Sequence, residues 1–236
     1  MNDMSVIPVE RLELAFAPHA WTFAAERRSE IDRHFATLKA RQPALWNGRV
    51  LLLRDHALDG SVFRGRYFET DYASFLAWRD WDFPDPAVKN CFAMGALRTA
   101  DGAFLLGEMG AHTANAGGIY FPAGTPDQHD IAGDRVDLAG NLIRELDEET
   151  GLGPQDVVAE QGWSMIPAGP RIAQIKLLHV EGTAERLRAR IRAHIGAQGH
   201  SELSDVRIVR GPADFDPGMP PFVRCFLDHA FTKVRA

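Results

Sequence analysis

Three glutamates, Glu145, Glu148 and Glu149, crowd the stretch GNLIRELDEETGL between Gly140 and Leu152. The leucines around them predict a helix. A helix turns about 100° per residue, so with Leu142 at the centre of a core stripe, Leu138 and Leu146 lie roughly 40° to either side. Glu149 then falls about 20° from Leu142, Glu145 about 60° and Glu148 about 120°, all on one flank. Glu145 and Glu149 form an i,i+4 like-charge pair, which costs a few tenths of a kcal/mol even in water. Beside apolar side chains the cost grows, because the carboxylates lose hydration. The group also sits toward the helix C-terminus, where the macrodipole disfavours anions. Three local rules broken together mark a functional site. A divalent cation resolves the conflict, since Mg²⁺ and Mn²⁺ favour carboxylate oxygen and keep waters for a phosphate partner. Arg144, four residues before Glu148, can brace it by a charge-assisted hydrogen bond. Taken alone, such a helix is most often only a solvated acidic face.

The flanking residues change that reading. Arg144, Glu145, Leu146, Glu148, Glu149, Gly151 and Leu152 form an unbroken run, preceded by GGIYFPAG. This resembles the second half of the Nudix hydrolase box, Arg-Glu-apolar-x-Glu-Glu-x-Gly-apolar, and Phe121–Gly124 looks like the FPGG that leads into it. The resemblance is clear from about Phe92 to Leu152. The first half departs: Val136 stands where the family has glutamate, and Asp130 where it has glycine. If Gly124 is the box glycine, the spacing to Arg144 is longer than in the family. Asp127, Asp130, Asp134 or Asp137 could then supply the displaced carboxylate, and spacing does not choose among them.

The resemblance implies that Glu145, Glu148 and Glu149 bind Mg²⁺ or Mn²⁺, with Arg144, Glu145 and Glu148 in the catalytic machinery. It implies hydrolysis of a pyrophosphate bond in a small-molecule nucleoside diphosphate derivative. In such chemistry a metal screens the phosphate charge and lowers the pKa of a bound water, and a carboxylate takes the water's proton. Glu202, in the loop GHSELSD, is the late-loop candidate for that base. Tyr120, Phe121 and Gly124 are the candidate substrate contacts, the two rings because aromatic faces stack on bases. His112, His129 and His200 also fall in expected loops near the site, and surface loop residues of this kind are commonly bystanders.

The N-terminal stretch from Trp46 to Trp81 is loosely similar to the leading domain of the Nudix subgroup related to UDP-glucose and UDP-galactose pyrophosphatases. That similarity suggests a nucleotide sugar; a coenzyme A derivative and a dinucleotide stay open. The rival from another class is a nucleotide-binding sensor of the same fold that does not turn its ligand over, suggested by the altered first half of the box.

The elements that must position these residues are legible in outline. The spacing predicts a strand over 9–16, a helix over 21–43, a hairpin turning at 58–60, and a short helix capped by Asp71. FPDPAVKN is the best linker. Two strands joined at ADG follow, then a short strand at GGIYFPAG and a polar loop at TPDQHDIAGDRV. The glutamate helix is capped by Asp137 and ended by Gly151. Strand, helix, strand and helix complete the chain. The expected fold class is α/β, an α+β sandwich: a Nudix-type mixed sheet between helices, with an N-terminal α+β extension. The expected division is residues 1–86 for the extension and 87–236 for the hydrolase domain.

Composition agrees with a globular enzyme: 236 residues, 45% hydrophobic and 25% charged, enough for a sizeable core. A net charge of −6 argues against a general nucleic-acid binder. Cys91 and Cys225 read as free thiols. The first 18 residues lack a signal-peptide layout and no apolar run is long enough to span a bilayer, so the expectation is a cytoplasmic protein with no membrane partner. Nudix proteins often pair, which makes a homodimer an expectation.

Overall fold

The computed structural model describes residues 4–113 and 115–233. The first three and last three residues, at the ends of the two expected domains, lie outside the described residues. The N-terminal block contains strands β1 (Ile7–Val9) and β2 (Arg11–Phe16), helices α1 (Thr22–Glu26) and α2 (Arg28–Arg41), strands β3 (Arg49–Asp59) and β4 (Val62–Asp71), and helix α3 (Tyr72–Asp80). Strands β5 (Asn90–Thr99), β6 (Phe104–Met109), β7 (Ile119–Tyr120), β8 (Ile131–Ala132) and β9 (Arg135–Val136) lead to helix α4 (Leu138–Thr150). Strands β10 (Val157–Ala159), β11 (Trp163–Ala168) and β12 (Arg171–Val180), helix α5 (Ala184–Ala197), strand β13 (Leu203–Val209) and helix α6 (Pro221–Lys233) complete the chain.

The main sheet is mixed and eight-stranded, in the order β1-β11-β12-β5-β6-β13, with β10 beside β12 and β7 beside β6. Its centre is the parallel pair β5–β12. Strand β5 is almost continuously buried and largely apolar, as a strand covered on both faces must be, while β12 also carries Arg171, Gln174, Lys176 and His179. Side chains alternate across β5: Cys91, Ala93 and Leu97 join the core under α4 and α5, with Leu142, Leu146, Leu187 and Ile191. Phe92, Met94 and Ala96 join the opposite core under α6, with Phe222, Val223 and Phe226. The sandwich of helices around a mixed sheet is therefore the architecture expected from the pattern.

The N-terminal block is less separate than the sequence suggests. Its five-stranded sheet runs β3-β4-β2-β9-β8. The hairpin β8–β9 comes from the stretch expected to be a polar loop and pairs with β2 through Ala15 and Arg135. Strand β1 in turn pairs with β11 of the main sheet. Leu14, Leu51, Leu53, Phe63 and Tyr67 share one buried cluster with Leu138 and Leu142. The expected linker is not loose either, because the Trp21 indole N–H donates to Asp85 at 2.8 Å and the Trp78 indole N–H to the Asp85 carbonyl at 3.1 Å.

Two further differences have local causes. The expected 21–43 helix breaks at Arg27, whose φ of −105° and ψ of 17° separate α1 from α2. Its guanidinium lies 4.1 Å from the Trp81 ring centroid. Strands β10 and β11 were not signalled, being short and carrying Pro167. The other caps are as expected: Asp71 accepts from the Ser74 N–H at 3.0 Å, and Gly151 ends α4 at φ 68°.

Candidate active site

Helix α4 presents the glutamates as its periodicity requires. Asp137 caps it, its carboxylate accepting from the Gly140 N–H at 2.9 Å. At the far end, the carbonyl of Glu148 accepts from Gln198 at 2.7 Å and lies 3.1 Å from His194 Nε2, both just past or within the last turn of α5. Leu138, Leu142 and Leu146 are buried and fix the rotation of the helix. Glu149, only 7% exposed, is drawn inward with them. Glu145 is partly covered, and Glu148 is open to solvent with 60% of its side chain exposed.

Arg144 is the hub of the acidic groups. Its guanidinium lies 2.9 Å from Glu145 and 3.5 Å from Glu148, so the close partner is the adjacent acid rather than the hydrogen-bonded Glu148 that the spacing predicts. It also donates to Asp130 at 3.2 Å. Asp130 is buried and accepts further bonds from the Asn141 side-chain amide at 3.0 Å and the Asp127 N–H at 2.8 Å. Of the four aspartates that spacing left open, Asp130 is the one hydrogen-bonded to Arg144. Asp137 is occupied as the α4 cap, Asp127 caps the short 3₁₀ turn at Gln128–Asp130, and Asp134 is exposed. Val136, where the family has glutamate, is core.

Gly124 lies directly against Glu145. A Cβ at Gly124 would overlap the Glu145 carboxyl group, so no other residue fits there without moving the acid. The loop carrying it is pinned from two sides, the Gly95 N–H donating to the Pro122 carbonyl at 3.0 Å and the Leu51 N–H to the Pro126 carbonyl at 2.7 Å. Glu202 stands at the start of β13, its carbonyl accepting from the Gly110 N–H at 2.7 Å. Its negative charge adds, as a lesser cause, to the upward push on Glu145 and Glu149.

The electrostatics are those of a crowded acidic site. Burial pushes the Glu145 carboxyl up to about 7, against the pull of Arg144 and with help from Glu148, Glu202 and Asp130. Burial pushes Glu149 well above the ordinary carboxylate range, and Glu145, Glu202 and Glu148 push it further. Glu149 Oε2 is buried with no hydrogen-bond partner. Among the described residues, no three His, Cys, Asp or Glu side chains are already drawn together as a metal-ligating set. The donors nevertheless suit a hard divalent ion: an unpartnered buried carboxylate oxygen, a second carboxylate one turn away, and a glycine that leaves that carboxylate room.

The expected substrate contacts divide. Tyr120 is half-buried on β7, with its hydroxyl 3.2 Å from the Asn115 amide, and it lines a cavity of about 1330 Å³. Phe121 does not. It is fully buried, edge-on to Phe104 and Phe226, and belongs to the core under α6, so it is not available to a base. Ile119 and Phe121 are buried in that core, whereas Tyr120, between them, packs at its edge and reaches the cavity. Of the histidines, His129 is exposed and 3.0 Å from Asp127, and His112 packs against Gly110. Tyr120, Ala123 and Gly124 line the cavity on the side of the glutamate helix, while Tyr72 and Phe75 of α3 line it from the N-terminal block. The sequence marks α3 only as a short helix capped by Asp71, and spacing alone does not tell which of its side chains reach the cavity.

No protein-family model matches the chain, and no curated protein is significantly similar to it. Solved structures are similar to it. One is the Nudix hydrolase RenU from M. smegmatis, 12% identical with a TM-score of 0.40, covering 61% of this chain and 84% of that one. A second is the MutT protein from Methanosarcina mazei Go1, 16% identical with a TM-score of 0.43, covering 63% of this chain and 96% of that one. A third is an Ap4A hydrolase from C. elegans in a binary complex, 14% identical with a TM-score of 0.44, covering 61% of this chain and 97% of that one. At identities this low, function has to be read from the residues themselves.

Proposed function

We propose that the chain is a divalent-metal-dependent Nudix-type pyrophosphohydrolase acting on a small-molecule nucleoside diphosphate derivative. The observation that carries this reading is the buried, unpartnered Glu149 Oε2 beside Glu145, in a box-like run braced through Arg144 and Asp130. A surface helix has no reason to bury a carboxylate oxygen without a partner, as Glu149 does with Oε2.

Glu145 and Glu149, with Glu148 at the solvent edge, would hold Mg²⁺ or Mn²⁺. The bound ion would screen the pyrophosphate charge and polarise its phosphorus. Arg144 orients Glu145 and keeps its carboxyl from taking a proton too readily. Gly124 lets the substrate-side loop approach Glu145. Glu202, the acid whose charge adds to the repulsion on both helix glutamates, would take the proton of the attacking water. Tyr120 contacts the organic part of the substrate from the cavity wall. A nucleotide sugar is the substrate class that the N-terminal resemblance favours.

The test is phosphate-product release from a panel of nucleotide sugars, dinucleotides and coenzyme A, with Mg²⁺ or Mn²⁺, in the native protein and in Glu149→Gln. Turnover of a panel member, lost by about a hundredfold or more in the variant, is the expected result. Ligand-induced rises in melting temperature without turnover would replace this reading with the nucleotide-binding sensor. Neither turnover nor a metal-dependent shift would reduce the glutamates to an acidic surface.

A further inference from the structure

The cavity beside the glutamate helix has a charge of its own. Its charged lining side chains are Arg79, Lys89 and Arg171, with no aspartate or glutamate among the described lining residues. In a chain of net charge −6, and next to a cluster of acids, this is a local reversal of sign. The three cations come from different elements: Arg79 from α3, Lys89 from the segment before β5, and Arg171 from the first position of β12.

Arg171 is the most committed of them. It has no carboxylate within salt-bridge distance among the described residues, while Arg79 is 2.8 Å from Asp80. Burial, and then the nearby charge of Arg79, lower its affinity for a proton. A guanidinium held half out of water beside a second one lacks a counter-charge. Directly across the sheet, Asn90 is the register partner of Arg171 and lines the same cavity. Asn90 is 9% exposed and its Oδ1 is buried without a hydrogen-bond partner. That oxygen is an acceptor, so it would take a hydroxyl or N–H from a ligand rather than an anionic oxygen, which leaves the guanidinium groups and the Lys89 ammonium as the groups that meet an anion.

The backbone adds an independent sign. Asp82 and Phe83 both sit at positive φ, 59° and 56°. A left-handed phenylalanine is strained and persists only where surrounding contacts hold it. Here the Phe83 ring packs edge-on against Trp78 at 4.7 Å, and Arg171 lies over it at 5.3 Å from the centroid. The strained turn therefore holds a platform that fixes the Arg171 guanidinium at the cavity wall.

We propose that Arg171 and Arg79, with Lys89, bind a second anionic group on the substrate, a phosphate or carboxylate carried by the moiety beyond the pyrophosphate. This rests on the pyrophosphohydrolase reading and narrows it to substrates with an acidic end group. The guanidinium fork suits either oxyanion. With an acid-free lining, a neutral end group would leave Lys89 and Arg171 without a counter-charge, whereas Arg79 keeps Asp80.

The test compares ligand pairs that differ by one charge: UDP-glucuronate against UDP-glucose for a carboxylate, and coenzyme A against 3′-dephospho-coenzyme A for a phosphate. Binding to Glu149→Gln is measured by calorimetry with Mg²⁺, so the result does not depend on turnover. In at least one pair the acidic member should bind about tenfold tighter or more, and Arg171→Gln should bring the ratio to within about twofold. Arg79→Gln should reduce the same ratio, and Arg171→Lys should keep part of it; near-native melting temperatures confirm that the variants fold. Equal binding of both members in each pair, or losses in Arg171→Gln shared equally by both members, would overturn the proposal even if hydrolysis is confirmed. Selective binding of an acidic member by a protein that hydrolyses nothing would keep this site and remove the enzyme reading instead.

Discussion

At the scale of single residues, the site is held in a state that costs stability. Glu145 has a carboxyl raised from 4.5 to about 7 by burial, and Glu149 is raised further in the same direction. In the unfolded chain both acids release their protons near their ordinary values. Between about pH 4.5 and 7 the folded protein therefore binds more protons than the unfolded one, and stability falls as pH rises through that window. For metal-free protein in chelator, the expected loss from pH 5 to pH 8 is on the order of 2 kcal/mol, reduced by whatever relaxation admits water. Glu149→Gln removes one buried charge, so its metal-free melting temperature at pH 8 should exceed that of the native protein, and the difference should shrink toward pH 5. Thermal melts across pH with and without Mg²⁺ check this. A native-like slope in the variant would mean that Glu149 is better hydrated than its burial indicates. Stabilisation of the native protein by Mg²⁺ is the other half of the same expectation, because an ion that binds only the folded acids adds to stability.

At the scale of elements, α4 is positioned by contacts that the sequence revealed unevenly. The cap, the leucine stripe and the stop at Gly151 were legible because each is a short-range rule of residue type and spacing. The role of Asp130 was not, since it depends on a 3₁₀ turn that folds the chain back so that its carboxylate meets Arg144, fourteen residues on. Four aspartates shared that stretch, and only the tertiary path separates the buried one from the caps. Phe121 was misread as a substrate contact for a related reason: alternation tells that Tyr120 and Phe121 diverge, not which side faces the cavity. Asp130→Asn keeps the shape but weakens the charge-assisted bonds to Arg144. It should lower kcat about tenfold, as loss of an orienting partner does, and lower the melting temperature. Asp134→Asn, at an exposed position of the same loop, should do neither. Steady-state kinetics and melts of the two variants decide it, and equal effects would mean that the loop as a whole, rather than the Asp130 pair, positions the helix.

At the scale of the whole molecule, residues on both sides of the expected boundary between 86 and 87 share one buried cluster. Strand β1 extends the main sheet, the β8–β9 hairpin extends the N-terminal sheet, and Leu14, Leu51, Leu53, Phe63 and Tyr67 pack in one cluster with Leu138 and Leu142 of the glutamate helix. Sequence periodicity reports which face of an element is apolar but not which partner covers it, so the interlocking could not be read in advance. The consequence is a strong prediction for truncation. A fragment of residues 87–236 would expose the apolar side chains that β2, β3 and β4 now cover, lose β1 from the edge of β11, and leave β8–β9 without a sheet. At about 25 cal/mol per Å² of newly wetted apolar surface, even a few hundred Å² costs as much as the whole net stability of a typical domain. The fragment should therefore show no cooperative thermal transition, whereas the full chain should melt in a single step. Calorimetry and near-ultraviolet circular dichroism on both distinguish the outcomes. A fragment that melts cooperatively and still binds Mg²⁺ would restore the two-domain division and make the N-terminal block a separable cover over the cavity. A fragment that does not fold would mean that the cavity's basic wall and the glutamate helix are parts of one cooperative unit.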